Sequence, residues 1–375
     1  MNTFQEFFVG GGMARAGLGK GWCCVFANDF DRKKAATYRR NWGGAEMVVD
    51  DIRNIGPDAL PGRADLVWAS FPCQDLSLAG GGAGLHGERS GTFWPFIARL
   101  NDMNAANRAP TIIALENVPG TLTSHKGTDF IAICAALDKL GYRYGAFIAD
   151  ASHFVPQSRP RLFVIAVENG VDPVNAGTEP MTPWHTPALR TAHGQLPERL
   201  NASWLWWRMP KPPKRRMRLA DVIEANPASM QRHSAVETRT LLSMMSAVNL
   251  AKVETARAAG VVMVGGVYKR TRYHHGIKVQ RAEVRFDDVA GCLRTPAGGS
   301  SRQLILVVDG ARIRSRLLST REAARLMGLP DSYQLPCAYN EAYHLTGDGI
   351  AVPVVRYIAK HILEPVIQRA DGARA

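Results

Sequence analysis

The sequence predicts an α/β protein built on a doubly wound, mostly parallel sheet with a smaller inserted domain. Two observations predict this fold. Over residues 1–168, short apolar runs typical of buried strands alternate with helix-like segments. After Asn169 the composition shifts to prolines and small polar residues, and a regular helical pattern returns near Ser319. We therefore expect a main domain at 1–168, an inserted domain at 169–318, and a segment at 319–375 that returns to the main domain.

The bulk composition narrows the possible functions. The 375 residues are 46% hydrophobic, and no apolar run approaches the roughly 18 residues of a membrane span. The first residues lack the features of a signal peptide, so we expect a cytoplasmic protein that does not enter membranes. The six cysteines form no Cys-x-x-Cys pair and no Cys/His cluster, which argues against disulfides and zinc. A net charge of +13 indicates a polyanionic partner, without separating DNA from RNA or an anionic membrane.

A glycine-rich loop follows the first predicted strand. Residues 3–9 read as a strand, and Gly10-Gly11-Gly12-Met13 comes directly after it, before a short helix. Bare backbone amides at such a place can approach a cofactor closely. A tight turn without a ligand is the alternative, because the full Gly-x-Gly-x-x-Gly pattern is absent.

Acidic and aromatic residues end the next two predicted strands. Asp29-Phe30-Asp31 follows a strand at 22–28, and Asp50-Asp51-Ile52 follows one at 46–49. Asp29 could accept hydrogen bonds from a ribose and Phe30 could face an adenine. Asp31 fits better as the N-cap of the next helix. Together with the glycine loop, these strand ends favour an adenosyl group.

A cysteine stands just past the fourth predicted strand. Residues 65–70 form a short apolar run, and Phe71-Pro72-Cys73-Gln74 follows, with proline ending the strand. The carboxyl end of such a strand is where ligands bind in open α/β sheets, so the Cys73 thiol is placed to attack one. An inert buried thiol is the alternative. The glycine-rich residues 79–91 that follow could form a closing flap or a surface loop.

Two further segments carry polar groups at predicted strand ends. Glu116 ends an apolar strand at 111–115, so we expect it at the same sheet edge as Cys73; a helix cap is the alternative. Arg159 and Arg161 enter another strand two residues apart and should point the same way, towards a polar substrate or a phosphate. A surface arginine pair is the alternative. Cys134 falls on the apolar face of a helix at 125–140 and is predicted to be core.

The second half of the chain is basic and partly aromatic. We assign Trp204, Trp206 and Trp207 mainly to a core. A run of cations follows and is assigned to nucleic acid, as is a second basic tract at 269–275. Residues 293–303 form a polar, glycine-rich loop. A capped helix is predicted to begin at Ser319 and end near Gly328, and an amphipathic helix is predicted from Gly347 onwards.

These motifs, taken together and in this order, resemble the cytosine-5 DNA methyltransferases over nearly the whole chain. The resemblance is carried by the cofactor loop at Phe8-x-Gly10-Gly11-Gly12, the nucleophile loop at Phe71-Pro72-Cys73-Gln74, Glu116-Asn117-Val118, Gln157-Ser158-Arg159-Pro160-Arg161, Arg321-Glu322-x-x-Arg325 with Gly328-x-Pro330-Asp331, and Gly347-Asp348-x-x-x-x-Pro353. Three departures stand out. The glycine loop is one residue short of Phe-x-Gly-x-Gly-Gly, Cys292-Leu293 replaces a frequent Thr-Leu, and Asp348 replaces a frequent asparagine.

The resemblance implies the fold of the S-adenosylmethionine-dependent methyltransferases and a defined chemistry. Cys73 would add as a thiolate to carbon 6 of a flipped-out cytosine, which makes carbon 5 nucleophilic. Glu116 would donate a hydrogen bond to ring nitrogen 3 of the base and hold its exocyclic amine. Arg161 would bind the base's carbonyl oxygen, and Arg159 would support the nucleophile loop.

The resemblance also implies ligands and partners. The cofactor is S-adenosylmethionine, which becomes S-adenosylhomocysteine, and no metal is expected. The partner is double-stranded DNA, bound by a monomer that could be nucleoid-associated and could have a cognate restriction endonuclease. The expected cofactor residues are Phe8, Gly10, Gly11, Gly12, Met13, Asp29, Phe30, Asp51, Ile52 and Pro72. The expected DNA-binding residues are Gln74, Ser77, Arg89, Arg215, Arg216, Arg270, Arg272, Arg294, Thr295 and Arg302.

Two other functions stay open on the sequence alone. One is a transfer-RNA cytosine-5 methyltransferase of the same fold; the basic insert of about 150 residues favours DNA instead. The other is a catalytically silent DNA-binding relative, which the presence of Cys73, Glu116 and Arg161 argues against.

Overall fold

The computed structural model describes residues 1–72, 76, 83–87, 89–227, 230–274, 276–294 and 302–374. Its strands are β1 (Asn2–Phe7), β2 (Trp22–Asn28), β3 (Met47–Val48), β4 (Leu66–Ala69), β5 (Ile112–Asn117), β6 (Tyr142–Asp150), β7 (Pro160–Glu168), β8 (Ala176–Gly177), β9 (Trp206–Trp207), β10 (Met263–His274), β11 (Ile277–Arg285), β12 (Leu304–Asp309) and β13 (Arg312–Leu317).

The helices follow the strands of the first half and then dominate the chain's end. They are α1 (Met13–Leu18), α2 (Arg32–Trp42), α3 (Phe93–Ala105), α4 (Thr128–Lys139), α5 (Pro187–Gly194), α6 (Glu198–Ala202), α7 (Leu219–Val222), α8 (Ala235–Ser243), α9 (Ala247–Ala258), α10 (Thr320–Leu326), α11 (Tyr339–Asp348), α12 (Val352–Ile358) and α13 (Glu364–Arg374). A π-helical turn at Ala359–Leu363 joins the last two.

The contacts divide the chain into two units. The first contains residues 1–150, 160–212 and 352–375, and the second contains 151–159 and 213–351. Residues 169–212 therefore pack with the main sheet, and residues 319–351 belong to the other unit. The predicted boundaries at 168 and 318 differ from these, and the assignment of 169–318 to a recognition domain stays a prediction.

The first unit is built on a seven-stranded sheet in the order β3-β2-β1-β4-β5-β7-β6. The strands from β3 to β5 run parallel, and β7 lies antiparallel between β5 and β6. This is the predicted doubly wound α/β fold, with β6 and β7 forming an antiparallel pair at its edge. Every residue of β4 and β5 is buried, because helices cover both faces of a parallel sheet.

The helices of the first unit follow from local signals in the sequence. The Asp31 carboxylate accepts hydrogen bonds from the backbone amides of Lys33 (2.8 Å) and Lys34 (3.2 Å), which confirms it as the N-cap of α2. Helix α4 buries Phe130 and Cys134 as predicted.

The tryptophans are core residues, as predicted. Trp204, Trp206 and Trp207 are all buried. Between them, the Leu205 amide donates to the Tyr144 carbonyl oxygen at 2.7 Å, which seats the segment against β6.

The second unit is built on an antiparallel sheet in the order β11-β10-β12-β13. Its core includes Leu241 and Val253 from α8 and α9 and Val267, Val284 and Leu306 from the sheet. Helix α10 starts at Ser319, whose side chain and that of Glu322 form the predicted capping box.

Several element boundaries shift by one to three residues from the sequence-based expectation, and two of the differences affect the motifs. Strand β1 ends at Phe7, not Val9, because Phe8 turns into the left-handed region at φ 58°. The helix predicted from Gly347 is two helices: Gly347 and Asp348 end α11, and α12 begins at Val352. None of the described helices has the length and apolarity that a membrane crossing requires.

Gly145 lies on β6 where the segment around Leu205 crosses it. A Cβ at this position would overlap the Leu205 carbonyl oxygen, which the bond to β6 holds in place. Gly145→Ala should therefore lower the free energy of unfolding by about 1–3 kcal/mol, measured from denaturant midpoints. Gly194→Ala is the control, since no atom lies within 4 Å of its added Cβ. Equal losses in the two variants would contradict the packing argument.

Candidate active site

The sheet order places the predicted site residues side by side along one edge. In parallel strands the carboxyl ends meet at the same edge, so the residues after β3, β2, β1, β4 and β5 follow one another across it. Phe7 pairs with Ala69, and Ala69 pairs with Leu115. The glycine loop and the start of the Cys73 loop therefore lie next to Glu116, at the same position along the strands.

The loop after β1 is held in a left-handed path. Phe8, Gly10 and Gly12 have φ values of 58°, 57° and 78°. The buried Asp29 carboxylate accepts a hydrogen bond from the Gly10 amide at 2.7 Å and another from the Asp31 amide at 2.9 Å. Asp29 thus ties the glycine loop to the end of β2, a structural task that the sequence did not reveal.

Trp42 braces the same loop from α2. Its indole Nε1–H donates to the Gly11 carbonyl oxygen at 3.1 Å. Its ring packs so closely on Gly12 that a Cβ there would overlap it. The Arg15 guanidinium lies over the Trp42 ring, 5.3 Å from its centroid. Only glycine fits between α2 and the loop, which explains the residue at position 12.

A largely buried cluster of polar side chains lies next to the loop, where α1 begins. Arg15 donates to the Tyr38 hydroxyl and pairs with the Glu46 carboxylate, and the Tyr38 hydroxyl donates to Glu46 at 2.9 Å. Glu6 on β1 is 3% exposed beside this cluster. Burial raises the pKa of Glu6 to about 8, against the opposing charge of Arg15.

The other residues expected to bind the cofactor lie along the same edge. Phe30 is 68% exposed just after β2, so its ring is open to contact with a ligand. Asp51 caps a short helical turn and pairs with Arg53 at 2.7 Å, and Ile52 is buried beneath it. Met13 is buried in the first turn of α1.

Glu116 and Arg161 form an ion pair at the end of β5, on the same edge of the sheet. Glu116 Oε1 lies 3.1 Å from Arg161 Nε, and the two side chains are only 9% and 13% exposed. They meet because β7 runs antiparallel to β5, with Glu116 opposite Phe163 and Arg161 two residues along on the same face. Glu116 therefore lies at this edge of the sheet, as predicted.

Asn117 fixes the start of the nucleophile loop. Its side-chain amide donates to the Phe71 carbonyl oxygen at 3.2 Å, and its Oδ1 accepts from the Val118 amide at 2.8 Å. The Pro72 carbonyl oxygen accepts a hydrogen bond from Ser90 Oγ at 2.9 Å. Phe71 and Pro72 are thereby held next to Glu116. Cys73 itself lies outside the described residues, as do Gln74 and Ser77.

The two arginines predicted to act together have different partners. Strand β7 begins at Pro160, so Arg159 directly precedes it, and the expectation that the two side chains point the same way stays a prediction. Arg159 is 2% exposed and donates to the carbonyl oxygens of Leu293 (3.1 Å), Gly347 (2.8 Å) and Gly349 (2.5 Å), all in the second unit. Its support of the nucleophile loop stays a prediction.

Gln157 and Cys292 also form hydrogen bonds within the second unit. The Gln157 side chain donates to the Leu326 carbonyl oxygen at 2.8 Å and accepts from the Leu293 amide at 3.2 Å. Arg159 reaches Cys292 Sγ at 3.3 Å. These contacts link the Gln157–Arg159 motif to Leu293 and to the end of α10.

The residues expected to bind DNA have varied settings. Arg89, Arg216 and Arg294 are exposed, and Arg270 and Arg272 share the Glu283 carboxylate at 3.3 and 2.5 Å. Arg302 donates to Asn340 at 2.5 Å. Arg215 donates to backbone carbonyls at Ser152 and Asp288, both at 3.1 Å, so its guanidinium organises the fold. Thr295 lies outside the described residues.

Metal ligands do not cluster in the part of the chain that the structure describes. No group of three or more His, Cys, Asp or Glu side chains there is arranged to hold a metal ion.

Comparison with known proteins identifies the family. The family described as C-5 cytosine-specific DNA methylase matches residues 2–364. The chain belongs to the C-5 cytosine-specific DNA methylases. It is accordingly a DNA cytosine-5 methyltransferase, and the resemblance carried by its motifs is confirmed.

Individual relatives agree with this assignment. The type II methyltransferase M.HhaI of Haemophilus parahaemolyticus is 25% identical over 361 residues, covering 96% of this chain and 93% of the relative. M.DsaV of Dactylococcopsis salina is 28% identical over 371 residues, covering 96% and 85%. Among solved structures, Entamoeba histolytica EhMeth has a TM-score of 0.63 at 13% identity, covering 98% of this methyltransferase and 99% of that chain. The last comparison supports the fold alone.

Sequence reasoning missed three residues of this methyltransferase. Trp42 and Tyr38 sit four residues apart on α2, which signals a buried helical face but not a contact with the glycine loop. Asn117 was seen within its motif, yet nothing local indicates that its amide reaches Phe71.

Asn117→Ala should slow methyl transfer because it removes the bond that holds Phe71 and leaves a buried carbonyl without its donor. A lost buried hydrogen bond of about 1–3 kcal/mol corresponds to a loss of about 5-fold to 150-fold in kcat/KM if the whole energy is lost from the transition state. The rate is measured with labelled methyl donor and duplex DNA. Asn101→Ala on α3, which removes a side-chain bond to Ile97 instead, is the control and should keep its rate. Equal rates for both variants would contradict the role of Asn117.

Glu6 predicts a specific dependence of stability on pH. Its ordinary pKa of 4.5 rises to about 8 in the folded protein, so folding favours the protonated carboxyl. That contribution is complete below pH 4.5 and is lost as the pH rises to about 8. The free energy of unfolding of the wild type should therefore fall over this range relative to Glu6→Gln, which stays neutral. Parallel curves for the two proteins would contradict it.

Proposed function

We propose that this methyltransferase moves a methyl group from S-adenosylmethionine to carbon 5 of a cytosine flipped out of a specific double-stranded DNA sequence, with Cys73 as the nucleophile. The observation that carries the proposal is the buried Glu116–Arg161 pair, 3.1 Å apart, at the sheet edge that also holds the glycine loop and the start of the Cys73 loop. One edge thus supplies both a cofactor site and a catalytic site.

The residues along β1, β2 and β3 fit an adenosyl group. Phe30 offers an exposed ring, Asp51 keeps a partly exposed carboxylate, and no atom lies within 4 Å of a Cβ built at Gly10. An open backbone beside an aromatic face and an acid suits a nucleoside with a ribose. Phe8, Gly11, Gly12, Met13 and Asp29 shape the loop, and Ile52 and Pro72 complete the proposed set.

The bound cofactor supplies a methyl group on a sulfonium sulfur, which makes it a good electrophile. The chain supplies the other half of the chemistry. Carbon 5 of cytosine is a poor nucleophile, and addition of the Cys73 thiolate to carbon 6 breaks the aromaticity and places electron density on carbon 5. Glu116 holds ring nitrogen 3 and the exocyclic amine while charge develops.

Arg161 has a double task in this proposal. Its Nε holds the Glu116 carboxylate, which fixes that acid in one orientation. A guanidinium has five donors, so a further N–H can bind the carbonyl oxygen of the base. Once carbon 5 carries the methyl group, its proton leaves, the electron pair restores the ring, and the bond from carbon 6 to the Cys73 sulfur breaks.

The long hairpin of β10 and β11 suits contact with the DNA. Its outer part pairs Arg270 with Arg281 and Tyr273 with Lys278, and Tyr273 is 70% exposed. A two-stranded β-ribbon fits the major groove, and guanidiniums bind phosphates and guanine edges. Together with the net charge of +13, this supports binding of a polyanion by the second unit.

The type II relatives support a sequence-specific target. A cognate restriction endonuclease, a monomeric state and a location at the nucleoid stay predictions.

The proposal is tested by incubating the purified protein with labelled S-adenosylmethionine and either mixed-sequence duplex DNA or transfer RNA. We expect label in the DNA alone, and bisulfite sequencing should place it at cytosines within one sequence. Label only in transfer RNA would support the transfer-RNA enzyme. Absence of label from both would support a silent DNA-binding relative.

Cys73→Ser tests the nucleophile. We expect methyl transfer to fall by about 10³-fold or more, since the serine hydroxyl is a far weaker nucleophile than a thiolate, while duplex affinity is kept. Cys337→Ser is the matched control, because Cys337 is an exposed thiol and should be dispensable. Undiminished methylation by Cys73→Ser would overturn the mechanism.

A further inference from the structure

The second unit contains a cavity of about 530 Å³ that the methyl-transfer chemistry does not use. It lies against one face of the four-stranded sheet and beneath the segment around α7. Three valines (Val262, Val264 and Val307) form an apolar wall. Four arginines (Arg218, Arg232, Arg314 and Arg316) and one acidic residue, Glu224, share the lining, and the Glu224 carboxylate accepts a hydrogen bond from Ser319 Oγ at 2.9 Å. We call it the arginine cavity.

The register of the sheet explains why arginines and valines meet there. Val264 pairs with Val307, and Val307 pairs with Arg314, so these three residues lie in one row across β10, β12 and β13. Side chains alternate along a strand, and Arg312 and Arg316 therefore share the face of Arg314. One face of β13 thus presents three guanidiniums beside an apolar surface.

Two of the lining arginines already have carboxylate partners. Arg316 donates to both oxygens of Glu322 at 2.8 and 2.6 Å, in a fully buried pair. Arg218 lies 3.0 Å from the Asp221 carboxylate. Neither arginine requires another anion.

Arg232 and Arg314 have no carboxylate partner among the described residues. Arg232 donates only to the Ala225 carbonyl oxygen, at 2.8 Å, and to the Asn226 side chain. The Arg314 side chain forms no hydrogen bond or ion pair with any residue that the structure describes, and its Nε is buried without an acceptor.

The electrostatic setting of Arg314 agrees with this geometry. Burial and the positive charges of Arg232 and Arg312 lower the pKa of Arg314, and Asp309 opposes them only in part. Neighbouring positive charges repel one another, and a buried N–H donor without an acceptor costs free energy. A bound anion would reduce both costs. A phosphate is the anion whose oxygens match guanidinium forks.

We propose that the arginine cavity binds a phosphate group between Arg232 and Arg314, with the apolar wall receiving the organic part of the molecule that carries it. The phosphate belongs either to a DNA strand or to a free nucleotide, since both offer the same charged group. This site lies beyond the proposed methyl transfer and does not depend on it.

The first experiment measures binding of inorganic phosphate to the purified full chain by calorimetry, with chloride at equal ionic strength as the reference. We expect saturable binding by the wild type, and an affinity at least about tenfold lower in Arg314→Gln and Arg232→Gln. Arg257→Gln is the matched control, because Arg257 pairs with Glu254 on α9 outside the cavity. It should bind phosphate as the wild type does.

Unfolding midpoints in phosphate-free buffer separate a ligand site from a structural one. Removal of an unpaired, crowded cation should leave the midpoint of Arg314→Gln unchanged or higher, and Arg314→Lys, which keeps the charge without the fork, should bind phosphate with intermediate affinity. No saturable binding by the wild type, or equal binding by wild type and Arg314→Gln, would overturn the proposal.

A third measurement distinguishes the two sources of the phosphate. If a DNA strand supplies it, Arg314→Gln should reduce the slope of log affinity against log salt for duplex DNA by about one, and phosphate should compete with DNA. If a free nucleotide supplies it, adenosine monophosphate should bind more tightly than inorganic phosphate and the DNA slope should not change. Because these assays need no methyl donor, a failed methylation assay leaves their result standing.

Discussion

The ion pair between Glu116 and Arg161 is the interaction on which the proposed catalytic site of this protein depends. Its two members lie 45 residues apart in the chain, and the reversed direction of β7 next to β5 brings them within 3.1 Å. Strand β5 is also where Asn117 anchors Phe71. The same strand end therefore orients the Glu116 carboxylate and fixes Phe71 at the start of the Cys73 loop, so the two groups proposed to act on one base share a single rigid support.

At the proposed cofactor side of the edge, the glycine loop is stabilised in a different way. There the glycine loop has little side-chain contact of its own and takes its shape from three braces: Asp29, Trp42 and the polar cluster around Arg15. These groups come from α1, α2 and the residues after β2, which means that the loop keeps its shape before any ligand binds. The missing residue relative to Phe-x-Gly-x-Gly-Gly is accommodated within this braced turn, with Phe8, Gly10 and Gly12 all at positive φ.

Much of this arrangement could be predicted from the sequence, and the failures have physical causes. Strand ends, the Asp31 cap and the core position of Cys134 follow from local patterns of polarity and from nearest neighbours. Glu116 could be placed because the carboxyl ends of parallel strands must share an edge. The contacts of Arg159 could not be predicted, because its partner carbonyl oxygens lie about 130–190 residues further along the chain. From the sequence alone, Trp42 is an ordinary aromatic on the buried face of α2. Nothing near it in the chain indicates that its indole N–H reaches the Gly11 carbonyl oxygen, 31 residues earlier.

The central claim is that Cys73 attacks a base held by Glu116 and Arg161, and a trapped complex tests it most directly. The measurement uses duplex DNA in which the target cytosine carries fluorine at carbon 5, so that the last step cannot release a proton and the adduct persists. Denaturation, digestion and peptide mass spectrometry then locate the bond. We predict an adduct that survives denaturation and lies on Cys73. An adduct on Cys292 or another thiol, or none under conditions where ordinary DNA is methylated, would contradict the account.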